Sequence, residues 1–122
     1  MLVRALGIAV PPVLQLTDAL AHRPVVLADT QDNPGGGGPS DTTGLLEALI
    51  RGGATGAIIA TLWDPQVAAL AHEGGEGTLI STSLGAKSKV AGSRPVEGDF
   101  KVLKLGDGCF TATGSMYLGA RI

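Results

Sequence analysis

Ten residues constrain this chain more than any others: Asp32-Asn33-Pro34-Gly35-Gly36-Gly37-Gly38-Pro39-Ser40-Asp41. The consecutive glycines admit backbone conformations that a side chain disfavours, so the chain can turn sharply and pass close to a ligand. Two prolines bracket them and fix φ on either side, which a flexible tether would not need. Before the run lies an apolar stretch, Pro24-Val25-Val26-Leu27-Ala28-Asp29-Thr30, and after it residues 42–51 read as a helix. A strand, a glycine loop and a helix in that order commonly build a site, because bare backbone N–H groups can face a ligand.

The pattern beyond the loop predicts an α/β fold. Residues 25–28 are an unbroken apolar run suited to a strand buried on both faces, and residues 57–62 (Ala-Ile-Ile-Ala-Thr-Leu) read as a second buried strand. Asp41 is the expected N-cap of the helix over 42–51. Leu45, Ala48 and Leu49 form its apolar side, Leu46 and Ile50 widen the stripe, and Gly52-Gly53 ends it. Trp63-Asp64-Pro65 opens a second helix, with Asp64 capping and Pro65 at the first helical position, and Gly74-Gly75 closes it. Residues 24–75 therefore read as a strand–helix–strand–helix unit, with parallel strands and a right-handed crossover.

A β-rich part with a hairpin follows. Residues 78–84 and 100–105 read as strands, and Gly106-Asp107-Gly108 turns the chain into a hairpin arm at 109–113. An N-terminal segment, 1–22, is set apart from this domain and is expected to be helical over 13–21. The α/β domain spans 23–122, and its last apolar run, 116–122, stops inside a strand pattern. The chain thus reads as a fragment of a larger domain, truncated at its C-terminus.

Composition narrows the function. Apolar residues make up 44 % and charged residues 16 %, enough for a packed core. Net charge is −2, and Lys87, Lys89 and Arg94 are too sparse for a nucleic-acid footprint. No apolar stretch approaches the roughly 18 residues of a membrane span. The opening twelve residues lack a clear cleavage site, so a cytoplasmic location is expected. The lone Cys109 excludes an intrachain disulfide.

Known phosphate and nucleophile motifs fail on inspection. No G-x-x-x-x-G-K-[ST] is present, and Asp29, Asp32 and Asp41 around the glycines would repel phosphate unless a cation intervened. Those carboxylates suit a metal, or polar substrate atoms held beside one. Alternatively Asp41 caps its helix, the preferred reading, while Asp29 and Asp32 shape turns; for Asp32-Asn33 both readings stand. His72-Glu73-Gly74-Gly75-Glu76 starts like H-E-x-x-H, but its fifth position is Glu76 and two glycines break the helix. No metal ligand is therefore assigned to this chain. Cys109 reads as a small core residue. Gly85-Ala86-Lys87-Ser88 imitates the end of a P-loop without the required adjacency. Trp63 falls near the sheet edge where α/β folds bind ligands, and suits equally a side chain closing the sheet's end.

Residues 23–87 resemble the C-terminal domain of the MlrC-type (microcystinase C-like) microcystin-degradation zinc metallopeptidase family. The resemblance rests on Pro24 to Asp29, on Asp32-Asn33-Pro34-Gly35-Gly36-Gly37, and on Asp41-Thr42-Thr43 leading into Leu45-Leu46. It continues with Trp63-Asp64-Pro65 and Ser83-Leu84-Gly85-Ala86-Lys87, then with Pro95-Val96 and residues 100–114. Ser40 stands where the family often has glycine.

That resemblance implies a two-domain zinc hydrolase cleaving peptide bonds in linearised microcystin and related small peptides. Its zinc ligands would lie mainly in an N-terminal domain, the expected partner of this one. Asp32, Asn33, Pro34, Gly35, Gly36 and Gly37 would line the substrate cleft, with Asp29 nearby, and the second partner would be a small peptide substrate. No catalytic residue is assigned, and the chain alone is expected to show little or no peptidase activity. The alternatives are a non-enzymatic α/β module holding a ligand or partner chain, and an inactive remnant that self-associates into a homo-oligomer through exposed apolar surface.

Overall fold

The computed structural model describes residues 26–29, 31–115 and 117–122, together with the backbone of two short N-terminal strands. These are β1, Arg4–Ala5, and β2, Ile8–Ala9, which pair antiparallel. The expected helix over 13–21 lies outside the described residues. The remainder is α/β: helix α1, Gly44–Arg51, helix α2, Pro65–Gly74, and an antiparallel pair, β3, Leu79–Leu84, with β4, Val96–Lys101.

Helix α2 forms where local chemistry dictates. The Asp64 carboxylate accepts from the Val67 N–H at 3.1 Å, and Pro65 supplies a preset φ at a position that needs no donor. Past its end the Thr78 hydroxyl donates to the Gly74 carbonyl at 2.6 Å, and the chain turns back so that β3 lies against α2. β3 and β4 pair from Leu79↔Lys101 to Leu84↔Val96, placing Ile80 opposite Phe100. Two further bonds prolong this ladder, Gly77 N–H to the Val102 carbonyl at 2.7 Å and Val102 N–H to the Thr78 carbonyl at 2.9 Å.

Four strand assignments differ from expectation. Residues 26–29 and 57–62 join no ladder among the described residues, and Val26 and Ile58 are 87 % and 91 % exposed. An apolar strand buried on both faces needs neighbours on both sides, and the described residues supply none. The helices of the expected 24–75 unit are present; its parallel strand pairing is not seen among the described residues. β4 begins earlier than the expected 100–105, because its register is set by β3 rather than by its own ambiguous alternation. The arm at 109–113 pairs forward rather than back. Phe110 and Ile122 exchange bonds of 3.0 and 2.9 Å, and the Ala112 N–H reaches the Ala120 carbonyl at 2.8 Å.

The buried centre is largely polar. Among the described residues the buried apolar side chains are Ala86 and Val102, while Asp41, Thr43 and Asp64 are buried polar ones. Every buried side-chain nitrogen and oxygen among the described residues has a hydrogen-bond partner, as such a centre requires. No described helix is long and apolar enough to cross a membrane.

Candidate functional site

The glycine loop is closed upon itself. Asn33 Oδ1 accepts from the Gly35 N–H at 2.9 Å, opening a single 3-10 turn, Pro34–Gly36. The Asn33 carbonyl takes the N–H groups of Gly36 and Gly38, each at 2.9 Å, and the Pro34 carbonyl takes that of Gly37 at 3.1 Å. All four glycine amides thus point inward. The bare N–H groups expected of this loop are not bare, because an Asx side chain and a positive φ of 88° at Gly37 let the turn satisfy its own donors. The loop thus presents no free glycine N–H, and Pro34 stands exposed on it.

Asp32 staples the loop's exit: one oxygen accepts from the Ser40 N–H and the other from the Thr42 N–H, both at 2.7 Å. Asp29 is exposed and folds onto its own turn, accepting from the Gln31 N–H at 3.0 Å. Asn33, Pro34, Gly35, Gly36 and Gly37 are exposed.

Asp41 is not the N-cap. Thr43 takes that position, and Asp41 turns inward with 2 % of its surface exposed. Its carboxylate accepts from the Ser88 N–H at 2.7 Å and from the Ser88 hydroxyl, while its carbonyl accepts from the Ala86 N–H at 2.6 Å. A partner 47 residues away outcompetes the local cap, which no local pattern foretells. Thr43, wholly buried, donates its N–H to Ser93 Oγ at 3.1 Å and its hydroxyl to the Arg94 carbonyl. On the other side the Trp63 N–H reaches the Ser40 carbonyl at 2.6 Å, and the Ser40 hydroxyl the Thr61 carbonyl at 3.1 Å. Residues 40–43 are therefore laced between 61–64 and 85–94.

Gly85 is the keystone of that lacing. It sits at φ +74°, and an added Cβ would stand 2.6 Å from Thr43 Cγ2 and 2.9 Å from the Asp41 carbonyl oxygen. Its N–H donates to Asp64 Oδ2 at 2.8 Å. Lys87 Nζ donates to the Ser83 carbonyl at 2.7 Å and lies 3.5 Å from the same Asp64 oxygen. Two motifs distant in sequence, Trp63-Asp64-Pro65 and Gly85-Ala86-Lys87, thus meet around one carboxylate.

Trp63, 65 % exposed, stands between two shallow depressions. One, about 310 Å³, is lined by Pro39, Asp41, Trp63, Pro65, Gln66, Lys87 and Ser88. The other, about 470 Å³, is lined by Pro34, Pro39, Ser40, Thr61, Leu62 and Trp63. Of the residues implied by resemblance, Pro34 borders the second; Asp29, Asp32, Asn33 and Gly35 to Gly37 border neither.

Two carboxylates are tuned to stay charged. Burial opposes ionisation of Asp64, but the Gly85 and Val67 N–H donors and the Lys87 ammonium together outweigh it and hold the pKa below the ordinary aspartate value. Asp32 is lowered in the same way, the Thr42 and Ser40 N–H donors overcoming its own desolvation.

Residues 27–122 match the family described as MlrC C-terminus. This chain belongs to that family. It is 32 % identical over 94 residues to Microcystinase C of Sphingomonas sp, an overlap covering 77 % of this chain and 18 % of that protein. The MlrC C-terminal chain therefore spans less than a fifth of its curated relative's length. No solved structure matches it.

A zinc ion, which the family resemblance implies, does not fit these residues. No three His, Cys, Asp or Glu side chains converge on a metal-sized position among the described residues. The carboxylates nearest the loop are already engaged on both oxygens: Asp32 by Ser40 and Thr42, Asp41 by Ser88, and Asp64 by Val67 and Gly85.

Proposed function

We propose that this chain is the substrate-cleft portion of an MlrC-like zinc metallopeptidase, an amide hydrolase acting on small linear peptides. The family membership over residues 27–122 is the observation that carries this reading. In it, the metal and its ligands belong to the preceding domain of such an enzyme, since the carboxylates here are spent on backbone N–H groups. The loop from Asp32 to Gly37 then serves as a prefolded wall of the cleft. A turn whose donors are internally satisfied loses little entropy when substrate arrives. Its role is to shape and exclude water rather than to supply N–H donors to an oxyanion. Asp29 lies at the rim, and Asp32 fixes the wall to the 40–43 strap.

The test is reconstitution. The purified 122-residue chain is mixed with the preceding domain of an MlrC protein, and hydrolysis of a linear peptide is followed with added zinc. Turnover is expected from the mixture and from neither part alone. Peptide hydrolysis by this chain by itself, or an inactive mixture of two demonstrably folded parts, overturns the reading.

A further inference from the structure

We infer that the Trp63–Lys87 depression is a binding subsite for a neutral, extended peptide segment, with an apolar side chain on the indole and a main-chain carbonyl accepting from Lys87 Nζ. This deepens the cleft reading above and rests on it for the choice of a peptide. Three observations carry it, none involving residues 32–38.

The first is convergence. Trp63 and Lys87 come from separate motifs, yet line one depression of about 310 Å³ together with Pro39 and Pro65. A largely exposed tryptophan ring between prolines is rigid apolar surface, and such rings contribute heavily where peptides dock.

The second is the lysine's bonding. Its side chain is 30 % exposed, and only its contact to the Ser83 carbonyl, 2.7 Å, is short. Ser83 Oγ at 3.2 Å and Asp64 Oδ2 at 3.5 Å hold it loosely, so a carbonyl oxygen entering the depression can compete for a proton.

The third is charge. Asp41 lines the depression, and Asp64 Oδ2 lies 3.5 Å from the Lys87 ammonium, so the cation there is already offset by carboxylate charge. That balance disfavours a free carboxylate in the ligand and favours an uncharged amide carbonyl.

The chain's one tryptophan makes the test direct, because its emission reports the ring in question. The full chain is titrated with an N-acetylated, C-amidated Ala-Leu-Ala-Leu tetrapeptide and with the same peptide as a free acid. Saturable blue-shifted emission is expected with the amide, and binding about threefold or more weaker with the acid. Lys87→Met is expected to weaken amide binding about tenfold, and Lys87→Arg to retain most of it. Lys87→Met strips Asp64 of its cation, so a thermal melt accompanies it, and the comparison of the two peptides on the unsubstituted chain stands independently. Unchanged emission, equal or tighter binding of the acid, or full affinity in a folded Lys87→Met protein overturns the subsite. Hydrolysis in the reconstituted mixture is a separate readout: its failure with binding intact removes the peptidase reading and leaves the subsite standing.

Discussion

Gly85 shows how much one position can carry. Its φ of +74° and the 2.6 Å approach of Thr43 Cγ2 leave no room for a methyl group. Gly85→Ala combines left-handed strain with overpacking, and a loss of about 2–4 kcal/mol is expected from urea unfolding. A loss below about 0.5 kcal/mol would show that the strap relaxes freely. The aspartates make a second prediction. Asp32 and Asp64 are both lowered on folding, so their stabilisation is complete above the unfolded aspartate pKa of about 3.9 and is lost as pH falls through their lower folded values. The thermal midpoint should be level near neutrality and fall steeply below about pH 4, with Asp64→Asn reducing that slope. An identical acid slope in Asp64→Asn would remove Asp64 from the account. At this scale the sequence was partly legible. The capping role of Asp64 was readable because donor and acceptor lie within four residues. The engagement of Asp41 by Ser88 was not, because nothing local marks it.

Helices and strands differ in the same way. Helix α2 begins at the expected residue because Asp64 and Pro65 act within one turn. Helix α1 starts at Gly44 rather than 42, since Asp41 and Thr43 spend their polar groups on the connection between β3 and β4. β3 was readable within one residue, whereas β4 was misplaced because Phe100, Val102, Leu103 and Leu105 offer competing registers. The segments 25–28 and 57–62 have strand composition, but a strand exists only against a neighbour. How α1 is held yields a prediction. The Thr43 hydroxyl joins the helix start to Ser93 and the Arg94 carbonyl, all at full burial of the threonine. Thr43→Val keeps the shape and removes those bonds, so about 1–3 kcal/mol of destabilisation is expected in urea unfolding, largely recovered in Thr43→Ser. Equal stability of the valine variant and the parent would mean that packing, not bonding, seats α1.

The whole molecule places its polar groups inside and much apolar surface outside. Val26, Ile58, Leu103 and Leu118 are between 72 % and 91 % exposed, against two buried apolar residues among those described. Each such side chain forgoes about 1.5–3 kcal/mol that burial would return, so covering several of them together offsets a large part of the roughly 4–15 kcal/mol cost of holding a partner in place. In the reading proposed above, the preceding domain of such an enzyme would cover them; this chain matches 18 % of its relative's length. Alone, the same surface should find copies of itself. Sedimentation velocity across about a hundredfold concentration range is expected to show reversible growth beyond the monomer, with dye binding typical of exposed apolar surface. Adding the preceding MlrC domain should suppress both and raise the thermal midpoint, since a partner that binds only the folded state stabilises it in proportion to its occupancy. A chain that stays monomeric at high concentration and binds no dye would show that those side chains fold onto one another in solution. The apolar surface would then no longer argue for a missing partner, although the Asp41–Gly85–Ser88 lacing, which needs none, would stand unchanged.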